Sequence, residues 1–269
     1  MAYSVFELFR LAGKVALVVG GARHLGYDMA EALAEAGADV VVTSREEAAA
    51  DRAARCLAET FPIQARAFAL DHRNSDRVAE VFGAAVRWRG RIDILVNNAG
   101  GGSGVGPCHV LEREPAEAEN LIATNLIGTL HCCQAAARTM VEKRAGKIVN
   151  VASVAGLVGR DRRMYARHGL RGQPVDYAAA KAGVIGLTRD LAATLAPYGV
   201  YVNAISPGGF ARPEMPPSFV REYSDRTPVG RMGRDGIDMK GAVLFLASAA
   251  SDYVTGQNLV VDGGFSTWQ

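Results

Sequence analysis

A regular alternation constrains what this chain can fold into. Short, near-continuous apolar runs rich in β-branched residues recur at positions 15–19, 39–43, 65–70, 92–96, 147–151, 200–205 and 258–261. A run with no polar alternation belongs to a strand buried on both faces, as in a parallel sheet covered by helices. Between the runs, Leu25, Met29 and Leu33 recur every four residues, and Val184, Leu187, Leu191 and Leu195 every three or four. That is the spacing of helices that bury one face. Repeated strand–helix–strand units predict an α/β chain: a Rossmann-type, doubly wound fold with a seven-stranded parallel sheet and helices on both faces.

The alternation continues from residue 14 to residue 262 without a Pro/Ser-rich linker or an internal repeat, so residues 1–269 read as one domain. A short arm, 1–13, precedes it. Three loops are long or rich in Gly and Pro: 100–107, a basic insertion over about 157–176, and a lid-like segment over about 206–236. All follow strands, and ligands of open α/β sheets sit beyond the carboxyl ends of strands. Function is therefore expected at that edge.

Composition excludes several other classes. With 49% hydrophobic and 22% charged residues the chain is not disordered, and 30 Lys plus Arg against 28 Asp plus Glu leave a net charge of only +2. That is too little for the basic face of a nucleic-acid or anionic-membrane binder, so neither partner is expected. Cys56, Cys108, Cys132 and Cys133 have neither disulfide-framework nor zinc spacing. They suit a reducing cytoplasm, with the adjacent Cys132 and Cys133 as helix packing residues. The five histidines are dispersed, and no metal site is expected. Glu7 and Arg10 interrupt the first apolar stretch, which does not read as a secretory signal. No apolar run reaches the roughly 18 residues of a membrane span.

Two local patterns carry chemistry. Gly20-Gly21-Ala22-Arg23-His24-Leu25-Gly26 is a glycine-rich turn between the first strand and a helix, whose amide groups and positive dipole end suit a pyrophosphate. Alone it reads equally well as a tight strand-to-helix turn. Tyr177-Ala178-Ala179-Ala180-Lys181 puts a phenol and an ammonium one helical turn apart. A cation there favours the phenolate and draws the tyrosine, ordinarily near pKa 10, toward a working range for proton transfer.

These patterns do not stand alone. Asn97-Asn98-Ala99-Gly100 follows the fourth run, Ser153 the fifth, and Pro207-Gly208 the sixth. In this order, over residues 14–262, they resemble the short-chain dehydrogenase/reductase family. The resemblance implies that Tyr177 gives or takes the hydroxyl proton and that Lys181 binds the nicotinamide ribose and lowers the tyrosine pKa. It further implies that Ser153 hydrogen-bonds the substrate oxygen and that Asn125 holds a water in a proton relay. Cofactor contacts are implied for Gly20, Arg23, His24, Leu25, Gly26, Ser44, Arg45, Asp71, His72, Asn98, Ala99, Gly100, Tyr177, Lys181, Pro207, Gly208 and Phe210. Two residues depart from the pattern. His24 stands where the family usually has glycine, and its Cβ crowds the pyrophosphate approach unless the backbone is ordinary helix. Arg212 stands where the family often has a threonine touching the carboxamide, which opens another contact or a substrate role.

The end of the second strand carries Ser44-Arg45 instead of an acid that would bond the ribose 2′-OH. With Arg23 it offers two guanidinium groups to a 2′-phosphate, so NADP(H) is favoured over NAD(H). The alternative is that Arg45 pairs with Glu46 or Glu47. Ser153 and Tyr177 lie 24 positions apart, longer than the resemblance implies, and the added segment is basic. Arg160, Arg163, Arg167, His168 and, from the later lid, Arg212 are candidates to hold an anionic substrate, against the alternative of solvated loop charges or subunit contacts. The two ends of the chain are similar to the gluconate 5-dehydrogenase-like branch of the family, which implies a sugar acid or other anionic sugar or polyol. A 3-oxoacyl-carrier-protein reductase is the second enzymatic reading, and a non-catalytic cofactor-sensing protein is a reading of another class. The resemblance also implies a homotetramer, and the apolar tail residues Phe265 and Trp268 fit that expectation.

Overall fold

Every one of the seven apolar runs forms a strand, and the seven strands lie in one parallel sheet. The computed structural model describes residues 4–102 and 108–268, so residues 103–107 of the first expected loop lie outside the described residues. In chain order the elements are α1 (Val5–Leu8), β1 (Val15–Val19), α2 (His24–Glu35), β2 (Asp39–Ser44), α3 (Glu47–Thr60), β3 (Ala65–Ala69), α4 (Ser75–Arg89) and β4 (Ile94–Asn97). The second half continues with α5 (Pro115–Ile122), α6 (Gly128–Lys143), β5 (Gly146–Val151), α7 (Arg162–Arg167), α8 (Val175–Leu195), β6 (Val200–Pro207), α9 (Pro217–Asp225), α10 (Lys240–Ala247) and β7 (Asn258–Val261).

Successive residues of a strand point to opposite faces, and the two halves of the core sort accordingly. Ala16, Val18, Val40, Val42, Ile94 and Val96 face α2, α3 and α10, where Met29, Leu33, Leu57 and Val243 meet them. Leu17, Val19, Val41, Leu95 and Ile148 face the other way, onto Val81 and Phe82 of α4 and Cys133, Ala136 and Met140 of α6. Helices therefore cover both faces, as the doubly wound pattern requires. Cys132 and Cys133 are wholly buried, and burial pushes the Cys133 thiol up to about 12. They pack. Among the described residues no helix is long and apolar enough to cross a membrane.

The basic insertion is not all loop. It contains α7, which packs on α9 of the lid segment through Met164, Tyr165, Phe219 and Tyr223. Phe265 joins the same cluster, its ring stacked on Tyr223 with centroids 4.5 Å apart, while Trp268 donates from its indole to the Arg226 carbonyl. The tail residue Phe265 is thus buried within this chain.

Candidate active site

The strand order, β3-β2-β1-β4-β5-β6-β7, reverses between β1 and β4. Such a reversal opens a crevice at the carboxyl ends of the two central strands. Here its walls approach so closely that side chains are excluded. A Cβ on Gly20 would lie 2.8 Å from the Ala99 Cα, and one on Gly26 would lie 2.1 Å from the Gly20 carbonyl oxygen and 2.5 Å from Asn98 Nδ2. Asn98 Nδ2 donates to the Gly20 carbonyl at 2.9 Å, and the Asn98 and Ala99 amides both donate to the Val19 carbonyl. α2 begins beside this seam with no side-chain cap and no acid in its first turn, which leaves amide N–H groups and a positive dipole end for an anion. The bare glycine cradle and this helix start fit a dinucleotide.

Arg23, in the turn before α2, and Arg45, just past the end of β2, have exposed side chains that make no hydrogen bond or ion pair among the described residues. Arg45 pairs with neither Glu46 nor Glu47, and Ser44 Oγ accepts from the Glu46 amide at 3.2 Å.

The other wall holds the polar groups. The helix after β4 is broken between α5 and α6 by a π-helical turn, Ala123–Ile127, of the kind found at functional sites. It aims Asn125 inward, fully buried, where Oδ1 accepts from the Gly101 amide at 2.9 Å and Nδ2 donates to the Gly101 and Leu121 carbonyls. Lys181 Nζ donates to the Val151 carbonyl at 2.7 Å and lies 5.7 Å from the centre of the Tyr177 ring. Burial brings Lys181 down to about 8. Ser153 follows β5, and its Oγ accepts from the Ala155 amide. Burial raises the Tyr177 phenol, while hydrogen bonding from Ser153, the Arg160 charge and hydrogen bonding from Gln173 pull it back. Arg160 thus stands beside Lys181 as a second cation at the Tyr177 ring, their distances to its centre being 6.0 Å and 5.7 Å.

Comparison with known proteins places this geometry. A family model described as enoyl-(acyl carrier protein) reductase matches residues 20–266. A 3-oxoacyl-[acyl-carrier-protein] reductase of Vibrio cholerae is 38% identical over 94% of this chain and 98% of its own length. A gluconate 5-dehydrogenase of Gluconobacter oxydans is 35% identical, with 97% of each chain covered. A solved gluconate 5-dehydrogenase from Burkholderia cenocepacia, in complex with NADP and tartrate, superposes with a TM-score of 0.88 at 35% identity over 99% of this chain and all of that one. The chain belongs to the short-chain dehydrogenase/reductase family. It is an oxidoreductase acting on CH–OH or keto groups, and such enzymes use a nicotinamide dinucleotide.

Several residues singled out from the sequence sit differently from expectation. His24 does not adopt ordinary helical backbone. At φ +53° it keeps the left-handed conformation that favours glycine, at a cost of about 1–2 kcal/mol for a residue with a Cβ. Leu25 is half-buried against the core beside it. The Asp71 carboxylate is held by Arg73, which brings it down to about 2. His72 is buried rather than presented to a ligand: its Nε2 meets the Thr124 carbonyl at 2.7 Å, and its ring fills the space above Gly128, so it braces the π turn. Pro207 ends β6 and Gly208 packs on Asp262, but the Phe210 ring is buried over Gly233 and faces the interior. Of the substrate candidates, Arg163 pairs with Asp161, while Arg167 and His168 both bind Glu222 of α9. Arg167 and His168 thus latch the insertion to the lid, Arg163 stays paired within the insertion, and none of the three meets at Tyr177. Arg160 does reach the site, with its guanidinium 6.0 Å from the Tyr177 ring centre. Arg212 stands on the other side of the crevice, beside His24.

Two supporting groups escaped sequence reasoning. Gln173 accepts from Arg160 Nη1 at 2.8 Å and acts on Tyr177, yet a glutamine in a basic loop carries no motif. Arg113, buried under α5, donates to Asp176 from two nitrogens and to Glu117, and so fixes the residue preceding Tyr177. Gly26→Ala tests the cradle: the variant is expected to fold yet to lose at least tenfold in NADPH affinity by fluorescence titration, and unchanged affinity would mean that the dinucleotide does not use this seam.

Proposed function

We propose that this enzyme interconverts a secondary alcohol and a ketone on an anionic, sugar-like substrate, a sugar acid being the favoured class and NADP(H) the favoured dinucleotide. The nicotinamide, when bound, supplies or accepts the hydride. In this reading the Tyr177 hydroxyl gives its proton to the oxygen on which charge develops during reduction and takes it back during oxidation. Ser153 donates to that same oxygen, Lys181 holds the nicotinamide ribose, and Asn125 keeps the polar path behind the lysine ordered. Gly20, Gly26 and Asn98 to Gly100 line the dinucleotide crevice.

The observation that carries the substrate class is the state of Arg160. It is half-buried, and its donors reach the Gln173 side chain and the carbonyls of Gln173 and Pro174. Those partners satisfy its N–H groups but not its charge, and among the described residues it makes no ion pair. A desolvated guanidinium beside the candidate proton donor favours a substrate that brings a carboxylate or phosphate. The Burkholderia relative bound to NADP and tartrate, a dicarboxylate, supports the same chemistry. The unpaired Arg23 and Arg45 support the 2′-phosphate. The similarity to the Vibrio enzyme keeps 3-oxoacyl thioesters as the second substrate reading, to be run in the same assay. Turnover that depends on Tyr177 removes the non-catalytic reading.

We extend the proposal to a homotetramer assembled through the outer faces of α5, α6 and α8 and through β7, which is an edge strand with half-exposed side chains. A reducing cytoplasm fits cysteines that form no disulfide among the described residues.

Three measurements test the reading. Tyr177→Phe should lower kcat at least a thousandfold while NADPH titration stays unchanged, and residual activity near wild type would remove the proton-transfer role. Nicotinamide absorbance at 340 nm over sugar acids, neutral polyols and β-keto thioesters should show turnover with the acids, and Arg160→Ala should raise their KM about ten- to a hundredfold while neutral polyols change little. Equal effects on acidic and neutral substrates would assign Arg160 to packing. Arg45→Asp should move the ratio of kcat/KM for NADP over NAD toward NAD by at least tenfold; a constant ratio would show that another group reads the ribose.

A further inference from the structure

His24 and Arg212, the two residues that depart from the motif pattern the sequence resembles, meet across the crevice. They are 188 residues apart in sequence. Arg212 follows β6 on the segment leading to α9, and its Nη1 contacts His24 Nδ1 while also donating to Asp235 Oδ2 at 2.8 Å. A guanidinium only donates, so Nδ1 accepts and the imidazole is neutral with its proton on Nε2. Burial and the Arg212 charge both favour that neutral form, against the opposite pull of Asp235.

The use of a single nitrogen is what points to a ligand. Both protein contacts of Arg212 fall on Nη1, and its Nε and Nη2 make no hydrogen bond among the described residues. Those two nitrogens form the edge with which arginine grips a phosphate at two points. The side chain is only 18% exposed, so the charge is tethered at one corner and held beside the first residue of α2. The amide groups of that helix start are the anion-binding end of the crevice. His24 also keeps a left-handed backbone that glycine would adopt without strain, and Arg212 is the partner its side chain gains there.

We propose that Arg212 is a charged ligand of the dinucleotide diphosphate and that His24, with Asp235, is the positioning residue that holds it in place. The proposal rests on the crevice being the dinucleotide site. It makes the segment after β6 part of the cofactor clamp through a charge, and it separates two cation sites on one ligand: Arg23 and Arg45 at the 2′-phosphate, Arg212 at the diphosphate.

Calorimetric binding of ADP-ribose, which carries the diphosphate without the 2′-phosphate, and of adenosine 2′-phosphate, which carries the converse, tests this directly. Arg212→Ala should weaken ADP-ribose, NADH and NADPH in parallel by about ten- to a hundredfold and leave adenosine 2′-phosphate within twofold. Arg212→Lys should recover part of the loss, and in a His24→Gly background the further loss from Arg212→Ala should shrink. Circular dichroism verifies that each variant is folded. ADP-ribose affinity unchanged in Arg212→Ala overturns the proposal, including where the variant raises the substrate KM and so marks Arg212 as a substrate ligand. Equal losses in both backgrounds overturn the role of His24. A wild-type protein that binds neither ADP-ribose nor NADPH would instead overturn the dinucleotide reading of the crevice, and the proposal with it.

Discussion

The close approach of the turns after β1 and β4 is the constraint from which the rest of the site follows. Parallel strands deliver all their carboxyl ends to one edge, and the reversal of order between β1 and β4 leaves a gap there that the flanking helices cannot fill. The bare backbone of Gly20 and Gly26, with the Asn98 side-chain amide bonded to the Gly20 carbonyl, closes that gap. Because the seam is rigid, the groups carried by the neighbouring strand ends, Ser153 after β5 and Pro207 at the end of β6, inherit fixed positions relative to it. The catalytic candidates are thus set by the sheet, and only the segments beyond residues 156 and 208 are free to vary with substrate.

Burial governs the chemistry on the far wall. Removing water favours neutral forms, so it raises the Tyr177 phenol and lowers Lys181 to about 8, which keeps the proton on the phenol and moves the two groups apart. Neither pairs with a carboxylate among the described residues. The polar groups around them are satisfied by backbone: Asn125 by Gly101 and Leu121, Lys181 by Val151, His72 by Thr124. Carboxylates are kept one layer further out, where Arg113 binds Asp176 and Glu117. A proton acceptor placed any closer would compete with the substrate oxygen for Tyr177.

What the sequence disclosed divides along the same lines. Strands and the helices that cover them announce themselves through periodicity, and the edges erred only by a residue or two, as where β2 runs on to Ser44 and β4 begins at Ile94 instead of residue 92. The Gly turn and the Tyr177–Lys181 pair were legible because their spacing is local. The π turn around Asn125 was not, since a one-residue widening leaves the apolar period of α5 and α6 almost unchanged. His72 looked available because nothing local buries it, and its partner at Thr124 is 52 residues away. The insertion reads as basic because part of its neutralisation comes from outside it: Glu222, which binds Arg167 and His168, belongs to α9. Pairings made across the tertiary structure leave no mark on either segment alone.

That latch changes how the insertion should act. A cluster of five or six mutually repelling cations around a pocket would attract any anion, solvent phosphate included, and would discriminate poorly. Pairing Arg163, Arg167 and Arg226 with Asp161 and Glu222 cancels most of that field and converts it into a fastening between α7 and α9, backed by the apolar contacts of Met164, Phe219 and Tyr223. Arg160 is left out of the fastening and held against Tyr177 by neutral partners. Under the proposed reading, one desolvated cation fixed beside Tyr177 would select for the position of a negative charge as well as its presence, which a diffuse basic loop cannot do. On that reading the acids of the latch would matter to specificity as much as its arginines do, because they decide which guanidinium is left unpaired beside Tyr177.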